Sequence, residues 1–140
     1  MARGGSGFIL ALAHSSGSYV AHELLRQVAG GLDAGGVTAD RIVYFDLDGG
    51  IAGLDGPTVA RTRRAYFVAA RDASTGTDSP NRSSMIAGAE AYPDRGGYYE
   101  LDGSGAGCNA GATWCLHMTL ITTKPHDPSN ANGPADYGDY

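Results

Sequence analysis

The sequence predicts an α/β fold: a short, mostly parallel sheet of about four strands with helices packed on it. Three observations carry that expectation. Apolar, β-branched or aromatic runs of strand length recur at residues 8–13, 41–47, 65–70 and 97–101. Segments with helical spacing stand between them. Glycine is abundant, 22 of 140 residues, and scattered without a period, as turns and close backbone contacts require.

Taken in order, residues 8–13 (FILALA) read as a buried strand bounded by Gly7 and a Ser/Gly cluster. Residues 18–28 (SYVAHELLRQV) carry Val20, Leu24, Leu25 and Val28 at helical spacing, and Gly30-Gly31 closes the helix. Residues 41–47 (RIVYFDL) form the second strand. Pro57 suits a first helical position, with a short helix over 58–64. Residues 65–70 (AYFVAA) form the third strand, ending at Arg71-Asp72. A polar loop, a helix over 83–91 and a fourth strand over 97–101 (GYYEL) follow. A glycine-rich segment leads to Trp114-Cys115-Leu116-His117, and 118–121 suit a last short helix. Residues 124–140 are a turn-rich tail, and residues 1–140 make a single domain without internal repeats.

The bulk numbers exclude several function classes. The formal charge is −5, with ten basic residues spread along the chain, so nucleic acid is not the expected partner. No apolar run approaches the ~18 residues of a transmembrane segment. Arg3, the run 8–12 and Ala11-Leu12-Ala13 imitate a signal peptide, but the apolar part is at or below the lower limit of about seven residues. We read it as a strand, and the chain as soluble without a signal peptide.

The joint between first strand and first helix carries the chemistry. Ala13-His14-Ser15-Ser16-Gly17 has the small-x-nucleophile-x-small pattern of a nucleophile elbow. So tight a turn wants small flanks at Ala13 and Gly17, and it lifts the central serine above the sheet edge in a strained conformation. The N–H of Ser16, at a helix N-terminus, would serve as an oxyanion donor. The same letters also suit an ordinary helix start with Ser16 or Ser18 as N-cap.

A serine nucleophile needs a base, and the base needs a carboxylate to fix its tautomer. Asp72 follows the third strand at its carboxyl end, and His117 follows the fourth. Asp46 and Asp48, at the end of the second strand, are reserve acids, and His126 competes with His117. Asp72 also suits a loop carboxylate paired with Arg71 or Arg82. Cys108 and Cys115 bracket a short loop before His117. They form either a disulfide that pins the loop, favouring an extracytoplasmic setting, or two free thiols. Zinc held by Cys108, Cys115, His117 and His126 matches no usual spacing, so no metal or other cofactor is expected. His14, His22 and Trp114 read as structural, and Asn81-Arg82-Ser83 has the form of a glycosylation sequon.

The order Ser15, Asp72, His117 behind an elbow resembles the C-terminal half of an α/β-hydrolase fold esterase or lipase. The resemblance covers nearly all of residues 8–123, and the four strands would match that family's fifth to eighth. It implies hydrolysis of small-molecule carboxylic esters through an acyl-enzyme on Ser15, with His117 as base and Asp72 as orienting acid. The family's first four strands would precede the elbow, and the second oxyanion donor would come from that half. The resemblance therefore leaves three readings open: a fragment, a late-start reading frame, or a reduced form that covers its exposed sheet edge by forming a homodimer.

Two rivals stand beside the hydrolase. Residues 42–50 (IVYFDLDGG) are similar to the first motif of haloacid-dehalogenase-type phosphatases, with Asp46 as nucleophile, Asp48 as acid/base and both holding Mg²⁺. That family expects Thr after the glycine, where Gly50 stands, and a later lysine, for which Lys124 is the only one here. The other rival is a non-catalytic, hydrolase-like binding domain.

Overall fold

The apolar run after Gly7 forms β1 (Ile9–His14). The computed structural model describes residues 7–31, 37–49, 58, 61–91, 93–94 and 96–121. Helix α1 (Gly17–Ala29) follows β1 after a two-residue turn. Its middle, AHELLRQ, is built largely of good helix formers. Ser18, Leu25, Val28 and Ala29 lie on its buried stripe. It ends where the Gly30 N–H bonds the Arg26 carbonyl and Gly31 turns left-handed, at φ +99°.

A 3₁₀ turn (Ala39–Arg41) enters β2 (Ile42–Leu47). The helix expected over 58–64 falls largely outside the described residues. The Thr62 N–H bonded to the Thr58 carbonyl is one helical turn of it. Strand β3 (Arg64–Asp72) runs longer than its apolar core suggests, and β4 (Thr77–Asp78) folds back on its end where only a loop is expected. Helix α2 (Arg82–Ala91) and β5 (Gly96–Asp102) follow as expected. The last helix, α3 (Thr113–Thr119), starts earlier than residue 118, so His117 is itself helical.

Strands β1, β2, β3 and β5 lie side by side in that order, all parallel, and only β4 is antiparallel. Their carboxyl ends therefore share one edge of the sheet. In the register, His14 pairs with Leu47 and Leu47 with Val68, so Ser15 and Asp48 leave that edge side by side. The sheet is thus α/β and mostly parallel.

Both α1 and α2 contribute to the core on one face of the sheet, with Leu25, Val28, Tyr44, Phe67, Met85 and Ala89. Each large apolar side chain in it contributes about 1.5–3 kcal/mol. Gly88 lets α2 approach closely, since a Cβ there would stand 2.7 Å from the Phe67 ring. On the other face the rings of Phe45, Tyr66 and Tyr99 form a row, with centroids 4.9 and 5.7 Å apart. No helix among the described residues is long and apolar enough to cross a membrane.

Candidate active site

Ser15 occupies the joint between β1 and α1 with φ +54°, a conformation that non-glycine residues rarely adopt. Hydrogen bonds hold it on both sides. Its N–H donates to the Leu47 carbonyl at 3.2 Å, and its own carbonyl accepts from the Ser18 N–H (3.1 Å) and the Ser18 hydroxyl (2.8 Å). Ser16 stands at the N-cap position but makes no side-chain capping bond. The first amides of a helix have no acceptor within it, which leaves that end suited to a negative charge. Ala13 is buried in the core as expected. Gly17 departs from expectation: a Cβ there would meet nothing among the described residues, so no clash accounts for that glycine.

Asp48 is the second non-glycine residue with a positive φ, +48°, and it is fully buried. Every polar group of it is engaged. Its N–H donates to the Val68 carbonyl at 2.7 Å, and its carbonyl accepts from the Asn81 side-chain amide at 2.8 Å. One carboxylate oxygen accepts from the Ser79 hydroxyl at 2.8 Å, and the other lies 2.5 Å from His117 Nδ1. Ser79 is in turn fixed to Ala70 through its N–H (2.9 Å) and its Oγ (3.2 Å).

His117 is 2% exposed, and its surroundings orient it. The contact with the Asp48 carboxylate puts a proton on Nδ1. The ring of His14 lies 4.3 Å away, and His14 Nε2 donates to the His117 carbonyl at 3.0 Å, which ties the end of β1 to α3. Burial lowers the His14 pKa, partly opposed by that same bond, in which Nε2 carries the donated proton. Trp114 is largely exposed, and its ring stands nearly perpendicular to that of His117, with centroids 5.2 Å apart. The sulfurs of Cys108 and Cys115 lie at disulfide distance, with Cα atoms 5.8 Å apart, which tethers α3 two residues before His117.

Asp72 is not at His117. Its carboxylate closes its own turn, accepting from the Ser74 N–H (2.9 Å) and hydroxyl (2.6 Å) and the Thr75 N–H (3.3 Å). Chiefly the Ser74 hydroxyl, with the Thr75 side chain and both backbone amides, holds it below the usual carboxylate range. The reason is register. The β3 residue after Val68, the partner of Leu47, is Ala69, and Asp72 lies three residues further on, ~10 Å along an extended strand. The place beside His117 belongs to Asp48.

Asp46 turns the other way. It alternates with Tyr44 and Ile42 toward the face under α1, where its carboxylate lies 3.1 Å from His22 Nε2. Gly49 packs so closely over it that a Cβ would lie 2.1 Å from Asp46 Oδ1. The two aspartates of the DLD motif thus have separate histidine partners. Paired sulfurs leave Cys108 and Cys115 without thiolates for zinc, and no cluster of three or more His, Cys, Asp or Glu side chains among the described residues is arranged to hold a metal ion. His126 and Lys124 lie outside the described residues. The sequon asparagine, Asn81, uses its amide nitrogen to hold Asp48.

The sequence ranks Asp48 behind Asp72, offers Asn81 only as a sequon residue and carries no signal for Ser79. One signal was readable: the pair Asp48-Gly49 directly after an apolar strand marks a tight turn at the carboxyl edge. No protein-family model, curated protein or solved structure matches the chain.

Proposed function

We propose that the protein is a serine hydrolase of carboxylic esters in which Ser15 is the nucleophile, His117 the base and Asp48, in place of Asp72, the orienting acid. One observation carries the reading. A serine in a strained strand-to-helix turn leaves the carboxyl edge of the parallel sheet next to a buried aspartate, and that aspartate is bonded to a histidine of α3.

In this reading Ser15 Oγ attacks the ester carbonyl carbon as its proton passes to His117 Nε2. The oxyanion that forms meets the Ser16 N–H at the start of α1. The tetrahedral intermediate collapses as His117 returns the proton to the departing alcohol, leaving an acyl group on Ser15. Water, deprotonated by His117, repeats the sequence and releases the carboxylic acid. Asp48 keeps the imidazole in the Nδ1–H tautomer throughout and steadies the transient imidazolium.

The geometry favours this chemistry over phosphoryl transfer. The phosphatase reading wants Asp46 and Asp48 converging on one substrate, whereas Asp46 faces α1 and bonds His22. A fluorophosphonate probe followed by peptide mass spectrometry tests the proposal. The expected result is an adduct on Ser15 that is lost in Ser15→Ala, with metal-independent turnover of short-chain p-nitrophenyl esters. A folded protein without an adduct overturns it in favour of a non-catalytic binding domain.

A further inference from the structure

Strand β1 pairs with β2 and, among the described residues, with nothing on its other side. Such an edge offers unpaired N–H and C=O groups, and proteins usually guard it with lysine, proline or a bulge. Here residues 8–13 are FILALA, with neither charge nor proline. Leu10 and Leu12 are 61% and 59% exposed.

The same flank continues onto α1. Ser18 and His22 face β2, touching Gly49 and Asp46. At 100° per residue, Val20 and Leu24 turn toward the opposite flank, above the open edge of β1. They are 73% and 55% exposed. One side of the molecule therefore combines an open strand edge with leucines on one face of the sheet and an apolar helix stripe on the other.

We propose that this flank is a self-association surface, on which two copies of the chain pair β1 with β1, antiparallel, about a two-fold axis at Ala11. That register sets Leu10 of one copy opposite the partner's Leu12, and Leu12 opposite the partner's Leu10, on the same face. On the other face the Val20–Leu24 stripes meet. A second copy fits because the edge is complementary to itself: equal in length, apolar against apolar, with no charge requiring an opposite one.

The area agrees. A standard interface buries ~800 Å² per partner, about 65% of it apolar in homodimers, so it needs roughly 500 Å² of apolar surface. Phe8, Leu10, Leu12, Val20 and Leu24, each more than half exposed, supply on the order of 100 Å² apiece.

Sedimentation velocity across the micromolar range reads the association directly and independently of any catalysis. The expected species has twice the 14.4 kDa chain mass. Leu12→Lys and, on the other face, Leu24→Lys should each weaken dimerisation on the order of tenfold or more, because each buries two uncompensated charges per dimer. Both positions face solvent in the single chain, so circular dichroism should stay unchanged, and the variants should melt as the wild type does when diluted to monomer. A wild-type chain that is monomeric throughout the range overturns the proposal without recourse to the variants. So does a dimer indifferent to both lysines, or a monomer that associates only with a different polypeptide.

Discussion

His117 Nδ1 and Asp48 Oδ2 lie 2.5 Å apart across 69 positions of the chain, and both side chains are almost wholly withdrawn from solvent. Asp48 reaches that place because β2 ends level with β1 and its next residue turns left-handed. His117 reaches it because α3 is anchored by a disulfide, by His14 and by Leu116, whose side chain fills the space over Gly103. Two elements distant in sequence thus form one hydrogen-bonded unit, whose aspartate leaves the sheet edge level with Ser15.

Asp48→Asn should lower the rate of Ser15 labelling and of ester turnover about 10²–10⁴-fold. An amide at that position donates toward Nδ1 and drives the imidazole to the tautomer that cannot take the serine proton. Asp72→Asn should leave both rates unchanged, since among the described residues its carboxylate bonds only Ser74 and Thr75. Stopped labelling time courses on the two variants compare them directly. A rate loss confined to Asp72→Asn would restore the assignment read from the sequence.

The residues that hold Asp48 make a second prediction. Asn81→Ala removes the donor to the Asp48 carbonyl, and Ser79→Ala removes the donor to its carboxylate, in each case leaving a buried acceptor unsatisfied. Each should cost about 1–3 kcal/mol by urea unfolding. Ser79→Ala should also slow Ser15 labelling, because the carboxylate loses one of its two fixed contacts. Unaltered stability in both variants would mean that the positive-φ turn at Asp48 is held by other contacts.

The strands and both long helices were legible because their apolar spacing is unbroken: FILALA, RIVYFDL and SYVAHELLRQV each carry one period. The tight strand-to-helix turn at Ser15 was legible because strand and helix adjoin with two residues between. Which aspartate meets His117 was not, since choosing among Asp46, Asp48 and Asp72 requires the parallel register, a long-range property. Val68, not Asp72, is the β3 residue level with Leu47. The face that Asp46 takes follows from β2 alternation, but only once the buried face of the sheet is known. Ser79 and Asn81 sit in a stretch with no apolar period, and their role depends on β4 folding back, which no local signal announces.

His14 sets a pH dependence of stability. Burial lowers its pKa in the folded protein, whereas the unfolded chain has the ordinary value near ~6.5. Below that value the unfolded state binds more protons, so stability rises with pH there. The contribution is fully present above about pH 6.5 and is lost as pH falls through the folded pKa. His14→Gln keeps a donor for the His117 carbonyl but does not titrate. Urea midpoints measured at neutral pH and at about pH 5.5 should fall less steeply in this variant than in the wild type. Parallel slopes would assign the acid sensitivity to other groups.

Reduction of the Cys108–Cys115 bond should act on the site more than on the fold. Helix α3 has seven residues, too few to be stable alone, and it carries His117 two positions after Cys115. Closing so short a loop restricts the unfolded chain by about 2–3 kcal/mol. Without the bond, α3 is still held by Leu116 packing, by the bond from His14 to the His117 carbonyl and by the contact of His117 with Asp48, with no covalent tie to fix its start. Strands β1, β2, β3 and β5 and helices α1 and α2 do not depend on it, so far-UV circular dichroism should change little. The expected outcome with a thiol reductant, or in Cys108→Ala/Cys115→Ala, is a lower melting temperature with a disproportionate fall in the Ser15 labelling rate. Equal labelling in oxidised and reduced protein would mean that His14 and Leu116 suffice to hold His117 against Asp48.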